Sequence, residues 1–286
     1  MTDNITELGL TDFPPLLRET PACPKKLFYR GSLPDWNAYT FLAVVGSRKY
    51  SNYGKEVCEH LIAGLSGYPI VIVSGLALGI DAVAHKAALS HKLKTIAVPG
   101  SGLNPRVLYP ASHQQLAEKI IEADGALISE FEPDFKATPW SFPQRNRIMA
   151  GMSHAILVIE AEIKSGTLIT SKLATDYNRD VLTVPGSIFS SSSEGPNMLL
   201  RLGATPITSS SELLDALGFT TEIKSKTDYS DCSPDELTVL KSLGNPLARE
   251  ELARETNIPI VKLNTLLSLL EIKGYIKESG GEIHRV

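Results

Sequence analysis

Residues 141–153 read Ser-Phe-Pro-Gln-Arg-Asn-Arg-Ile-Met-Ala-Gly-Met-Ser, and they set an aromatic ring and two guanidinium groups around an amide, just before an apolar run. Phe142 offers a face on which a base can stack, Arg145 and Arg147 offer planar cationic forks for phosphate, and Asn146 offers a hydrogen-bonding amide. That combination suits single-stranded nucleic acid. The same residues also read as an ordinary helix start, with Pro143 in the first turn, the arginines solvated and Phe142 in the core.

Three further segments put small, hydroxyl-bearing or glycine residues where a strand gives way to a helix. Gly46-Ser47-Arg48-Lys49 combines backbone N–H groups and a helix dipole with the Arg48 fork, an arrangement that attracts an anion. Ser74-Gly75 and Gly79-Ile80-Asp81 form a second such turn, followed one helical turn later by His85. Its plain reading is a carboxylate favoured by the helix N-terminus with the histidine bonded to it, because nothing nucleophilic adjoins the pair. Ser165-Gly166-Thr167 opens a third, either as an anion seat or as a simple cap. The chain has no GxxxxGK[ST] loop, GxSxG elbow, HExxH pair or GxGxxG fingerprint, so no catalytic apparatus is evident.

The elements that must hold these turns are visible as short apolar runs at 41–45, 70–73, 95–98, 126–128, 155–159 and 181–184, alternating with helix-like stretches. Continuous apolar strands separated by helices imply a buried, mostly parallel sheet with helices on both faces, an α/β Rossmann-like fold. In such sheets the ligand crevice lies at the carboxyl ends of the strands, where the turns above fall. Val-Pro-Gly-Ser occurs twice, at 98–101 and 184–187, and hints at two similar halves.

Four regions are expected. Residues 1–40 form a proline-rich extended segment over the surface, 41–218 the Rossmann-like domain, and 219–233 a polar linker. Residues 234–286 restart with helical periodicity and end in two short strands around Gly280-Gly281, a winged helix. Its third helix carries Lys262 as its lone cation, and the region holds more acidic than basic residues, so a duplex-binding regulator is disfavoured and a protein-contacting or vestigial wing is at least as compatible.

With 286 residues, a formal charge of −4 and 43% hydrophobic content, the chain suits a globular protein whose nucleic-acid site is a local basic patch. Cys23, Cys58 and Cys232 lie far apart without metal-ligand spacing, and no apolar run is long enough to span a bilayer. These features point to a cytoplasmic protein with no disulfide framework, metal or cofactor.

Taken in order, Gly46-Ser-Arg48, Ser74 to Asp81, Tyr109-Pro110, Ser129-Glu130-Phe131, Phe142 to Ile148, Ser165 to Thr170, Val184-Pro-Gly186 and Gly195-Pro-Asn197 resemble the DNA-processing protein A family, also called Smf. Pro14-Pro15-Leu16-Leu17-Arg18-Glu19 fits the same pattern. The resemblance implies a non-catalytic protein of natural transformation that binds single-stranded DNA, protects it and helps load the RecA recombinase, commonly as a homodimer. It implies a DNA pocket on Ser47, Arg48 and the Phe142 to Arg147 cluster, with Lys49 and Lys172 near the groove. Two departures are visible: the segment before Pro14 leaves no room for an added helical domain, and Ser171-Lys172 stands where small apolar residues are usual. A different reading of the same scaffold is a nucleotide-binding or nucleotide-hydrolysing protein related to the lysine-decarboxylase-like phosphoribohydrolases, which however pair a Pro-Gly-Gly-x-Gly-Thr turn with two glutamates that are absent after Thr170.

Overall fold

The computed structural model describes residues 4–220 and 231–285, and the chain divides into two compact units, 1–221 and 222–286. In the first unit the elements run β1 (Thr6–Leu8), α1 (Pro15–Arg18), β2 (Leu27–Gly31), β3 (Thr40–Val45), α2 (Asn52–Ala63), β4 (Ile70–Ser74), α3 (Ile80–Ser90) and β5 (Lys94–Ala97). They continue through α4 (Gln114–Glu122), β6 (Ala126–Ser129), α5 (Ser141–Met152), β7 (Ala155–Val158), α6 (Gly166–Asp176), β8 (Asp180–Thr183), α7 (Glu194–Arg201), β9 (Thr205–Pro206) and α8 (Ser210–Ala216).

The sheet has nine strands in the order β1-β2-β6-β5-β4-β3-β7-β8-β9. Every pair from β6 to β9 is parallel, with Leu42 of β3 flanked by Ile72 of β4 and Ala155 of β7. The chain winds outward from β3 through β4, β5 and β6, then returns to the centre and winds the other way through β7. Ligands of such sheets bind at that reversal, and here it lies beside the carboxyl end of β3.

Period-two alternation along β3 separates the two cores. Leu42 and Val44 pack under α2, α3 and α8 with Leu61, Ile62, Ile80 and Leu213, whereas Phe41, Ala43 and Val45 pack with Ile148, Met152 and Ala174 of α5 and α6. Both faces of the sheet are thereby covered, which is why its strands read as unbroken apolar runs.

Residues 4–40 differ from the extended surface segment expected of them. Leu27–Gly31 forms β2, which pairs antiparallel with β6 and carries β1 on its outer side, so this segment completes one edge of the sheet. Phe13 and Leu17 are buried in the α5 face of the core. Arg30 of β2 is held against Glu118 of α4 at 2.8 Å.

The linker expected at 219–233 falls mainly on 221–230, outside the described residues. Beyond it, α9 (Pro234–Ser242), β10 (Leu247–Ala248), α10 (Arg249–Thr256), α11 (Ile260–Ile272), β11 (Ile276–Ser279) and β12 (Glu282–Arg285) make a three-helix unit with a three-stranded wing. Ser233 and Glu236 form a reciprocal capping box with Pro234 in the first turn. Among the described residues no helix is long and apolar enough to cross a membrane, and no group of three or more His, Cys, Asp or Glu side chains is placed to hold a metal.

Candidate nucleic-acid interface

At the reversal, the turns after β3, β4 and β7 meet the first half of α5 around an open cleft of about 720 Å³. Its lining includes Ser47, Arg48, Lys49, Phe142, Arg145, Asn146, Gly166 and Thr167. These eight residues, all singled out in the sequence, are thus brought together across a chain separation of more than a hundred positions. Arg147 and Lys172 lie elsewhere.

Arg48 and Phe142 form the working face. The Arg48 guanidinium carbon sits 5.3 Å from the centroid of the half-buried Phe142 ring, a cation–π contact that holds an exposed cation beside an aromatic face. Phe142 is supported from below by Tyr109, whose ring centroid is 5.5 Å away, and it leaves no room for a side chain at Gly100. The turn bearing Arg48 is itself fixed: the Ser47 hydroxyl accepts from the Lys49 N–H at 3.0 Å and donates to the Lys49 carbonyl at 2.8 Å.

Opposite this face, Ser165 caps α6 by accepting from the Thr167 N–H at 3.2 Å, and the Thr167 hydroxyl ties the helix to the Gly46 carbonyl at 3.2 Å. The Asn146 amide donates to the Gly166 carbonyl at 3.4 Å. The N-terminus of α6 therefore opens onto the cleft within a scaffold that joins three turns. Lys164, exposed at its rim, escaped the sequence reading; a cation one residue before a helix cap was the available signal.

Not every anion seat read from the sequence is open. The N-terminus of α2 is filled by the buried Glu160 carboxylate, which accepts from the Ser51 N–H at 2.9 Å and crowds Gly54. The turn after β4 is filled by Asp81, which accepts from the Gly75 and Ala77 N–H groups at 3.1 and 3.3 Å. Two of these seats are thus satisfied by the protein's own carboxylates, which leaves α6 as the seat facing the cleft without one.

The two arginines of α5 also differ from the solvent-facing forks expected. Arg145 is 4% exposed, donates to the Val98 carbonyl, and with Asp81 occupies the space a side chain on Gly75 would need. Burial pulls its pKa down to about 10, opposed by the Asp81 charge, while burial pushes Asp81 up, opposed by Arg145. Arg145 is therefore a buried cation in the cleft floor, with its Nε unpaired among the described residues. Arg147, on the next face of α5, pairs with Glu130 and donates to the Ala22 carbonyl, tying the N-terminal segment to the sheet. Lys172 is exposed in the body of α6, away from the cleft lining.

The expected His85–Asp81 bond does not form. His85 is fully buried with its Nδ1 2.7 Å from the Thr95 hydroxyl. Burial pushes its pKa down to about 3, with the charges of His113 and Arg145 adding to the effect. An unfolded imidazole gains a proton near its ordinary value of 6.5 and the folded one does not. Stability is therefore present in full above that value and falls on acidification by about 1.4 kcal/mol per pH unit from this group. In urea unfolding between pH about 6.5 and about 4, His85→Gln is expected to have a smaller dependence on pH than the unmodified protein; identical slopes would contradict this origin.

In the second unit three of the cations are held in ion pairs. Lys262 pairs with Asp235, Arg249 with Glu278 of the wing, and Lys273 with Glu236 at 2.9 Å. The exposed face of α11 mixes Val261, Leu269 and Ile272 with the neutral polar side chains of Asn264, Thr265 and Ser268. A duplex reader needs free cations on that helix.

A family model described as DNA recombination-mediator protein A matches residues 4–218, and one described as DprA winged helix domain matches residues 224–282. The Protein Smf of Escherichia coli (strain K12) is 38% identical over 273 residues, which span 92% of this chain and 72% of that protein. The X-ray structure of DNA processing protein A from Streptococcus pneumoniae superposes with a TM-score of 0.68 at 38% identity, over 77% of this chain and 76% of that one. DNA processing protein A from Helicobacter pylori, whose single-stranded DNA binding mode has been described structurally, superposes with a TM-score of 0.67 at 29% identity, over 74% of this chain and 95% of that one. With both of its units matched in order, the chain belongs to the DNA recombination-mediator protein A family.

Proposed function

We propose that the cleft at the sheet's reversal point binds single-stranded DNA without strong sequence preference. The observation that carries this reading is the exposed Arg48 guanidinium held over Phe142, facing the open N-terminus of α6. A base stacks on the ring; phosphates meet Arg48, Lys49, Lys164 and the N–H groups of α6; and buried Arg145 adds positive potential from the floor. Every base has a π-face, so stacking of this kind tolerates any sequence, and a duplex keeps its base faces hidden.

The family supports the biological setting. In this reading the protein acts in the cytoplasm as a homodimer, shelters strands entering by natural transformation, and delivers them to RecA for recombination, without catalysing a reaction itself. The single-strand binding described for the Helicobacter pylori protein supports the ligand.

Fluorescence anisotropy tests the ligand. A labelled poly-dT strand is expected to bind with affinity that falls as salt rises, and unlabelled duplex of equal length is expected to compete poorly. Removing residues 222–286 is expected to leave this binding within about twofold, because Lys262, the one cation of α11, is paired with Asp235, and Arg249 and Lys273 are paired within the unit as well. Preferential binding of duplex, or loss of all binding with that deletion, would overturn the reading. Saturable binding of a free nucleotide with no strand binding would favour a nucleotide ligand instead.

A further inference from the structure

The connection from β8 to α7 reads Val184-Pro-Gly-Ser-Ile-Phe-Ser-Ser-Ser-Ser193 and contains no charged residue. Both of its ends are tethered. The Pro185 carbonyl accepts from the Tyr53 hydroxyl at 2.8 Å, and the Asn197 amide donates to the Gly186 carbonyl at 3.1 Å. Ser192 accepts from the Ala161 N–H at 2.8 Å, and its hydroxyl donates to Glu160 at 2.9 Å. Its middle is unpacked: Ile188 is 83% and Phe189 94% exposed. A large aromatic left in solvent on an anchored loop, amid hydroxyls, marks an interaction site more readily than a defect of packing.

The loop is bonded to residues 160 and 161, and the chain continuing from them, Glu162, Lys164 and Ser165, walls the cleft. Its tip therefore stands on the same carboxyl edge of the sheet, one strand beyond. Tyr50 and Tyr53, both exposed, lie at the start of α2 on this side. We propose that Phe189, supported by Ile188, is a second base-stacking station that receives the single strand after it leaves the cleft. The inference rests on the single-strand reading of the cleft and extends it.

The chemistry favours that occupant. A single strand presents a base face and a phosphate at every nucleotide, which suits a neutral aromatic tip set beyond the exposed ammonium groups of Lys49 and Lys164. A second copy of the chain would need roughly 800 Å² from each partner, of which two side chains provide only part. A duplex conceals the face that Phe189 would stack on.

The test compares dT strands of about six and about twenty nucleotides, short enough for the cleft alone and long enough for both stations. Phe189→Ala in the full chain is expected to weaken binding of the longer strand on the order of tenfold and to leave the shorter strand unaffected. In Phe189→Trp, the longer strand is expected to quench fluorescence beyond the quenching seen in the unmodified protein, and the shorter strand is not. If the unmodified protein binds both strands and Phe189→Ala binds them equally well, the second station is overturned while the cleft stands. A lower molecular mass of Phe189→Ala in sedimentation would make the tip a subunit contact and also overturn it. If the unmodified protein binds neither strand, the cleft reading falls and the station with it.

Discussion

Replacing Arg145 by methionine is expected to lower the unfolding free energy of the protein by about 3–5 kcal/mol, the range for leaving a buried charge without the opposite charge near it. Methionine preserves most of the volume, so the loss arises from electrostatics more than from a cavity. Asp81 would remain buried with two backbone N–H donors and no cation beside it, and the Val98 carbonyl would lose its donor. Asp81→Asn in the Arg145→Met background is expected to recover part of the loss, since it removes the stranded carboxylate. Urea unfolding of the single and double variants measures both effects. A loss for Arg145→Met below about 1 kcal/mol would show the guanidinium to be solvated and available as a surface fork, against the burial described above.

The second large effect belongs to the face made by Arg48 and Phe142. Phe142→Ala is expected to weaken single-strand binding by about 1–3 kcal/mol, the contribution of one stacked base. Arg48→Ala is expected to weaken it comparably and to lower the slope of log affinity against log salt by about 0.7, because one phosphate contact on a single strand is lost. Since Arg48 rests on Phe142, the double variant should lose less than the sum of the two. Arg147→Ala, by contrast, should leave affinity and salt slope nearly unchanged, because Arg147 is engaged with Glu130 and Ala22. Equal losses from Arg48 and Arg147 would place the strand along α5 instead of across the turns.

Much of this arrangement was readable in the chain before its structure. Unbroken apolar runs such as 41–45 and 155–159 signal strands buried on both faces, and the turn chemistry that ends each of them marks the carboxyl edge of a parallel sheet. Ser233-Pro234 and Glu236 announce the start of α9 by themselves, because a capping box is local. What could not be read depends on partners remote in sequence. Nothing in 14–35 discloses that Leu27–Gly31 pairs with β6, because prolines before it favour an extended chain wherever that chain goes.

The same reason explains the site. Arg145 and Arg147 look equivalent in sequence, yet one turns into the cleft floor beside Asp81 and the other meets Glu130, a carboxylate from the end of β6. The seats at α2 and at the turn after β4 look as open as the one at α6. Only the fold brings Glu160 to Ser51 and aims Asp81 at Gly75. Residue types announce that an anion can be bound, whereas packing decides whether the protein supplies its own.

Photo-crosslinking tests the central claim most directly. A dT strand carrying photoreactive thymines is bound to the full chain, irradiated, and the adducts are mapped by mass spectrometry. Adducts on peptides containing 46–49, Phe142 and 164–167 are the predicted result. Adducts confined to residues 231–285, or to α4 and the β1 edge of the sheet, would contradict a binding site at the reversal of the sheet.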